Sequence, residues 1–143
     1  MNHPVALAWS SEYAVGVPEI DEQHMILVHT LNDANVKLRQ DCSQQRLEQI
    51  TQDLLSYALY HFETEEELMQ EFAYADASAE DAAAHLEQHR QFSTKVVTVR
   101  EQIRDGVAVT ADELIGFLTD WLVNHIMNTD KRLAAHIRSR RGL

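Results

Sequence analysis

Five histidines and two carboxylates in this chain have the types and spacing to do chemistry together. His61 and Glu65 stand four apart in HFETE, and His85 and His89 four apart in HLEQH. His24 closes the phrase IDEQH, and His125 and Asp130 bracket HIMNTD. Residues four apart on a helix share a face, so each pair presents two donor groups about one turn apart. Imidazoles mixed with carboxylates suit a transition metal rather than Ca²⁺ or Mg²⁺, which prefer all-oxygen surroundings. The single cysteine, Cys42, joins none of these clusters, which sets aside iron–sulfur and thiolate zinc sites. HLEQH is not the zinc-protease pattern HExxH either, because Glu87 follows His85 by two positions.

Four segments with apolar residues at helical spacing must position these groups. The first is predicted from about Pro18 to Arg39, with Ile20, His24, Leu27, Leu31, Ala34 and Leu38 on its inner stripe. Pro18 suits a first helical turn, where the missing N–H costs nothing. The second runs from about Gln44 to Phe72 through Leu47, Ile50, Leu54, Tyr57, His61, Glu65, Leu68 and Phe72. The third runs from about Ser78 to Arg104 through Ala82, His85, His89, Phe92, Val96, Val99 and Ile103, and stops at Gly106. The fourth opens with the capping box Thr110-Ala-Asp-Glu113 and carries Leu114, Leu118, Trp121 and His125. Short links make successive helices antiparallel neighbours. The expected fold is therefore all-α, an up-down-up-down four-helix bundle spanning 18–128. An N-terminal arm (1–17) precedes it and a C-terminal segment (129–143) follows, all in one domain.

Any one of these histidines alone reads as a hydrogen-bonded core residue. Six polar groups on the inner stripes of four helices read otherwise, since each unpaired one costs roughly 1–3 kcal/mol to bury. With a rise of about 1.5 Å per residue, His24, His61, Glu65, His85, His89 and His125 all fall ~6–16 Å above one end of the bundle. A shared height is what a common ion requires. Asp130 lies five residues after His125, ~140° round a straight helix and off that face. A helix ending near Asn128 would let Asp130 turn back toward the others or cap the next segment.

Composition narrows the function classes. The net charge of −11 argues against nucleic acid, whose phosphates need a basic surface. No apolar run is long enough to span a membrane. One cysteine and the lack of a leader-like opening in MNHPVALAW favour a reducing, cytoplasmic setting. The tail gathers Lys131, Arg132, Arg138, Arg140 and Arg141, read as a solvated tail ahead of a docking patch. His3, His29 and His136 fall off the inner stripes and are expected in solvent.

Taken together, VGVPEIDEQH, HFETE, HLEQH and HIMNTD resemble the hemerythrins, specifically the short single-domain bacterial ones, over about residues 9–132. All seven positions occur in the family's order. The resemblance implies a non-haem di-iron centre with an oxo or hydroxo bridge. His85, His89 and His125 would bind one iron, His24 and His61 the other, and Glu65 and Asp130 would bridge both. That set leaves one of about twelve octahedral positions open, on the two-histidine iron. The implied activity is reversible O₂ binding, as carrier, store or sensor, rather than catalysis. A di-iron oxidase or peroxidase, or a nitric oxide or iron-handling protein, is the alternative. O₂ is the implied partner. No protein partner is suggested, and a monomer is compatible with all of this. Val28, Phe62 and Leu122, one turn from site residues, are candidates for a dry pocket. The stretch YADASAEDAAAHLEQH is a few residues longer than the family's usual form, extending a loop or the start of the third helix, and Tyr74-Ala75 stands where Tyr-Pro is common.

Overall fold

A computed structural model describes residues 7–142, so His3 and the rest of 1–6 lie outside the described residues. The expected bundle forms. Its helices are α1 (Pro18–Gln40), α2 (Gln44–Glu71), α4 (Ala79–Arg104) and α5 (Ala111–Asn124). A one-turn helix, α3 (Tyr74–Ala77), links α2 to α4. The extra residues there, expected to extend a loop or the start of the third long helix, form a helical turn of their own, opened by Ala73 in the left-handed region (φ 51°).

Local chemistry sets the ends. Ser43, Ser78 and Thr110 hydroxyls accept from the backbone N–H groups of Arg46, Asp81 and Glu113, covering donors that have no intrahelical partner. Gly106, at φ +83°, lets the chain reverse after α4. Trp9 and Tyr13 of the arm pack over the core. The Asp21 carboxylate accepts from Val15 N–H (2.7 Å) and Gly16 N–H (3.1 Å), tying the arm to the first turn of α1.

The fourth rod differs from expectation. It does not end near Asn128. A π-helical turn, His125–Asp130, carries α5 directly into α6 (Lys131–Arg141). Leu133, Ala134 and Ile137 of α6 are fully buried. Arg141 forks onto Glu19 of α1, with Nη1 2.9 Å from Oε1, and its guanidinium lies over the Phe72 ring at the end of α2. His136, expected in solvent, is half-buried and bonds the Phe72 carbonyl oxygen at 2.7 Å, covering an exposed helix end. The basic tail is therefore a helix that floors the bundle. His29 is exposed, as expected.

In cross-section α1 packs on α2 and α5, α2 on α4, and α4 on the π turn. Apolar layers fill the far half of the bundle. The polar layer lies toward the end floored by α6.

Candidate metal centre

The structure brings all seven expected side chains together. His24 comes from α1, His61 and Glu65 from α2, His85 and His89 from α4, and His125 and Asp130 from the π turn. All are buried, and Glu65 and Asp130 are completely enclosed. Their donor atoms form two groups, each within 4.8 Å: Glu65 with His85, His89 and His125, and Glu65 with His24, His61 and Asp130.

The π turn explains Asp130. An i→i+5 hydrogen bond closes one turn over five residues instead of four, so His125 and Asp130 stack on one face. Asp130 Oδ1 lies 3.0 Å from His125 Nε2 and 3.4 Å from His85 Nε2, while Oδ2 lies 2.8 Å from His24 Nε2. One carboxylate thereby faces both donor groups. Glu65 Oε1 also faces both, 3.4 Å from His61 Nε2 and 3.0 Å from His89 Nε2.

Glu65 Oε1 is within hydrogen-bonding reach of His85 and His89, but much of the closeness here is not hydrogen bonding. His24 Nε2 and both Asp130 oxygens lack a hydrogen-bonding partner despite their separation of 2.8 Å, as do His61 Nε2 and Glu65 Oε2. These atoms converge side by side on common points rather than donating to one another. An orphaned buried polar atom ordinarily costs about 1–3 kcal/mol. Two carboxylates also bring two negative charges into a dry interior, and every ion-pair partner they have is a histidine ring. Cations at the convergence points remove both problems. The residues present fit a metal centre.

Outside the cluster, neighbours fix three of the rings. His61 Nδ1–H donates to Gln23 Oε1 (2.8 Å), and the Gln23 amide is oriented by its own bond to Thr64 Oγ1 (3.0 Å). His125 Nδ1–H donates to Gln88 Oε1 (2.8 Å), which also accepts from Thr129 Oγ1 (2.7 Å). His89 Nδ1–H donates to Glu66 Oε2 (2.9 Å). Donation outward from Nδ1 leaves each Nε2 lone pair facing inward, the form a metal needs. His89 Nε2 and His125 Nε2 then face each other at 3.2 Å, two lone pairs that a shared proton or a metal ion must separate.

The metal-free electrostatics say the same. Burial pushes the His125 ring down, but Asp130 and Glu65 overcome that and raise it to about 10, so a proton stands where a cation would. Burial lowers His61 to about 4 against the upward pull of Glu65 and Asp130. Burial alone would raise Glu65, yet His61, His125, His85 and His89 hold it well below the usual carboxylate range.

Sequence reasoning missed Gln23, Gln88, Glu66 and Thr129. Each adjoins a site residue in sequence, but Gln23, Gln88 and Glu66 serve a ring on a different helix, and Thr129 bonds Gln88 across the bundle. Only adjacency could have flagged them. Tyr57, placed near the site by its stripe, makes no hydrogen bond through its buried hydroxyl.

Next to the polar layer lies an apolar cavity of about 30 Å³ lined by Leu27, Leu31, Leu54, Ala58, Phe62, Phe92, Leu118, Trp121 and Leu122. Leu27 and Leu31 follow His24 by three and seven, Ala58 and Leu54 precede His61 by three and seven, and Leu122 precedes His125 by three. In an antiparallel bundle all these offsets point the same way, so the cavity roofs the site. Phe62 stacks on His89 (4.0 Å between ring centres) and Trp121 on His125 (4.5 Å). Phe62 and Leu122 thus occupy the pocket expected of them. Val28 is buried but lies outside the cavity lining.

An antiparallel helical bundle enclosing paired histidine and carboxylate donors has the make-up of a non-haem metal-binding protein. Residues 15–137 match the hemerythrin HHE cation-binding domain. The chain is 31% identical to a bacteriohemerythrin of Stenotrophomonas maltophilia, covering 93% of this chain and 82% of the relative. It is 33% identical to that of Pseudomonas aeruginosa (87% and 76%), and 31% identical to a hemerythrin-like protein of Naegleria gruberi (90% and 92%). Among solved structures, a wild-type hemerythrin superposes with a TM-score of 0.80 at 27% identity, over 92% of this chain and 97% of the other. An L114A hemerythrin variant superposes with a TM-score of 0.82 at 26% identity (94% and 98%). The chain belongs to the hemerythrin family.

Proposed function

We propose that this chain binds O₂ reversibly at a di-iron centre. His85, His89 and His125 would hold one iron and His24 and His61 the other, with Glu65 and Asp130 spanning the two. The observation that carries the reading is the pair of overlapping donor groups sharing Glu65, with buried atoms aimed at common points instead of at hydrogen-bond partners. Two ferrous ions side by side would supply the two electrons that O₂ takes up on binding and returns on release.

The chain's own part is to present and protect. Gln23, Gln88 and Glu66 hold three rings with Nε2 inward, so little reorganisation accompanies binding. The cavity above the histidine layer offers an apolar space large enough for a small molecule. Its walls carry no carboxyl, hydroxyl or imidazole group that would hand a proton to a bound anion, and Phe62 and Trp121 cover two of the rings. Five neutral imidazoles against two carboxylates place little negative charge on the metals, favouring the ferrous state and reversible binding over oxidative turnover. No helix among the described residues is long and apolar enough to cross a membrane.

Anaerobically reduced, iron-loaded protein should take up O₂ and release it under argon through repeated cycles, followed by visible absorption. Irreversible oxidation, with continuous consumption of an added reductant, would assign the site to catalysis instead.

A further inference from the structure

The three ring-fixing bonds are not equivalent. His61 and His125 donate to neutral glutamine amides, whereas His89 donates to a carboxylate, Glu66 Oε2, at 2.9 Å. Glu66 also differs in setting. Its side chain is 41% exposed while that of His89 is 4% exposed. The two meet in an open groove between α2 and α4 lined also by Leu59, Glu63 and Leu86. Glu66 is thus the anionic contact through which the centre is coupled to the surface.

The sequence produces this by register. Glu65 and Glu66 are consecutive on α2, so their side chains diverge by about 100°. One enters the core and faces both donor groups. The other passes outside His89 and meets the ring's far nitrogen. Two adjacent carboxylates thereby grip His89 from both sides, with Glu65 Oε1 3.0 Å from Nε2 and Glu66 Oε2 2.9 Å from Nδ1.

Resting on the di-iron reading above, we propose that Glu66 is a positioning residue that makes the three-histidine position the more electron-rich of the two. A carboxylate accepting from Nδ1–H raises the basicity of Nε2 more than an amide does. A more basic imidazole favours the ferric over the ferrous ion, and so lowers the reduction potential. The two-histidine position has no counterpart: His61 meets only Gln23, and His24 Nδ1 has no partner. The groove makes the contact adjustable from outside, because a bound cation or partner covering Glu66 would weaken its hold on His89.

The test compares Glu66→Gln with Glu63→Gln in the full iron-loaded chain. Glu63 is an exposed glutamate of the same groove that touches no histidine ring. Potentials are measured by anaerobic redox titration, and iron per chain is counted in each sample. Glu66→Gln keeps the acceptor oxygen but removes the charge. It should raise the midpoint potential by roughly 60 mV, a tenfold shift in ferric-over-ferrous preference for a one-electron step, with Glu63→Gln close to wild type. Glu66→Ala, which also strips the ring of its acceptor, should in addition weaken metal binding ~10–100-fold, with the helix content of the chain unchanged by circular dichroism. Equal shifts for Glu66→Gln and Glu63→Gln would reduce the effect to general surface charge and overturn the proposal. So would an unchanged potential in Glu66→Gln carrying its full iron. A wild-type chain that takes up no iron pair would instead overturn the di-iron reading, and this proposal with it.

Discussion

At the residue scale, the side chains named from sequence are those that meet, because six lie on inner stripes at one height and the π turn brings in the seventh, Asp130. Spacing of four within HFETE and HLEQH was legible from local geometry alone. The residues that orient the rings were not. Gln23 and Gln88 look like ordinary polar neighbours of His24 and His89, yet they serve His61 and His125 across a helix–helix contact. Such pairings exist only once the helices have packed. The buried rings also predict a pH response. His61 is held down at about 4 in the metal-free chain, against about 6.5 when unfolded. A depressed histidine leaves folding unpenalised above about pH 6.5, and its share of stability is lost as pH falls through 4. That share is on the order of 3 kcal/mol. His125, raised to about 10, works oppositely: its contribution is complete below 6.5 and fades only as pH rises toward 10. Between pH 6.5 and 4 the His61 loss therefore stands unopposed by His125. Thermal melts of the metal-free protein should show melting temperature falling across this window, while a flat profile would contradict the burial of a neutral His61.

At the element scale, three of the four rods end close to where capping and punctuation residues place them, and the fourth does not. HIMNTD contains no glycine or proline to announce the π turn, and its alternative is an ordinary α-helix with the same apolar stripe. What selects the wider turn is tertiary: Asp130 reaches the donor groups, Thr129 reaches Gln88, and Leu133 and Ile137 enter the core. The arm depends on a different local feature. Gly16 adopts φ +85°, and a Cβ there would meet Arg138 Cδ at 2.9 Å. Gly16→Ala should cost about 1–3 kcal/mol in denaturant unfolding, with iron content unchanged. A neutral result would mean that the arm does not hold this conformation in solution. The roof of the site gives a third expectation. Ala58 lines the cavity at its α2 wall. Ala58→Leu should fill it and slow O₂ association in stopped-flow mixing by roughly tenfold or more, leaving the iron count intact. Unchanged association would show that O₂ does not pass through this space.

At the scale of the whole molecule, the bundle separates two environments along one axis. Apolar layers fill one half. The other holds seven polar donors, closed beneath by α6 and its contacts to Glu19 and Phe72. Composition argued against nucleic acid, no helix among the described residues is long and apolar enough to cross a membrane, and periodicity supplied the four rods. The floor was half legible: the basic segment after Asp130 reads as a further helical piece, but nothing in its five basic residues announces that Leu133, Ala134 and Ile137 are buried beneath them. The whole architecture makes sense if cations complete the centre, since without them only protonated histidine rings offset the two buried carboxylates. The decisive measurement is metal analysis of the anaerobically iron-loaded chain combined with X-ray absorption. The account predicts two irons per chain about 3–4 Å apart, each with imidazole nitrogen in its coordination shell. A single bound metal at saturation, or two metals too far apart to share Glu65 and Asp130, would contradict it.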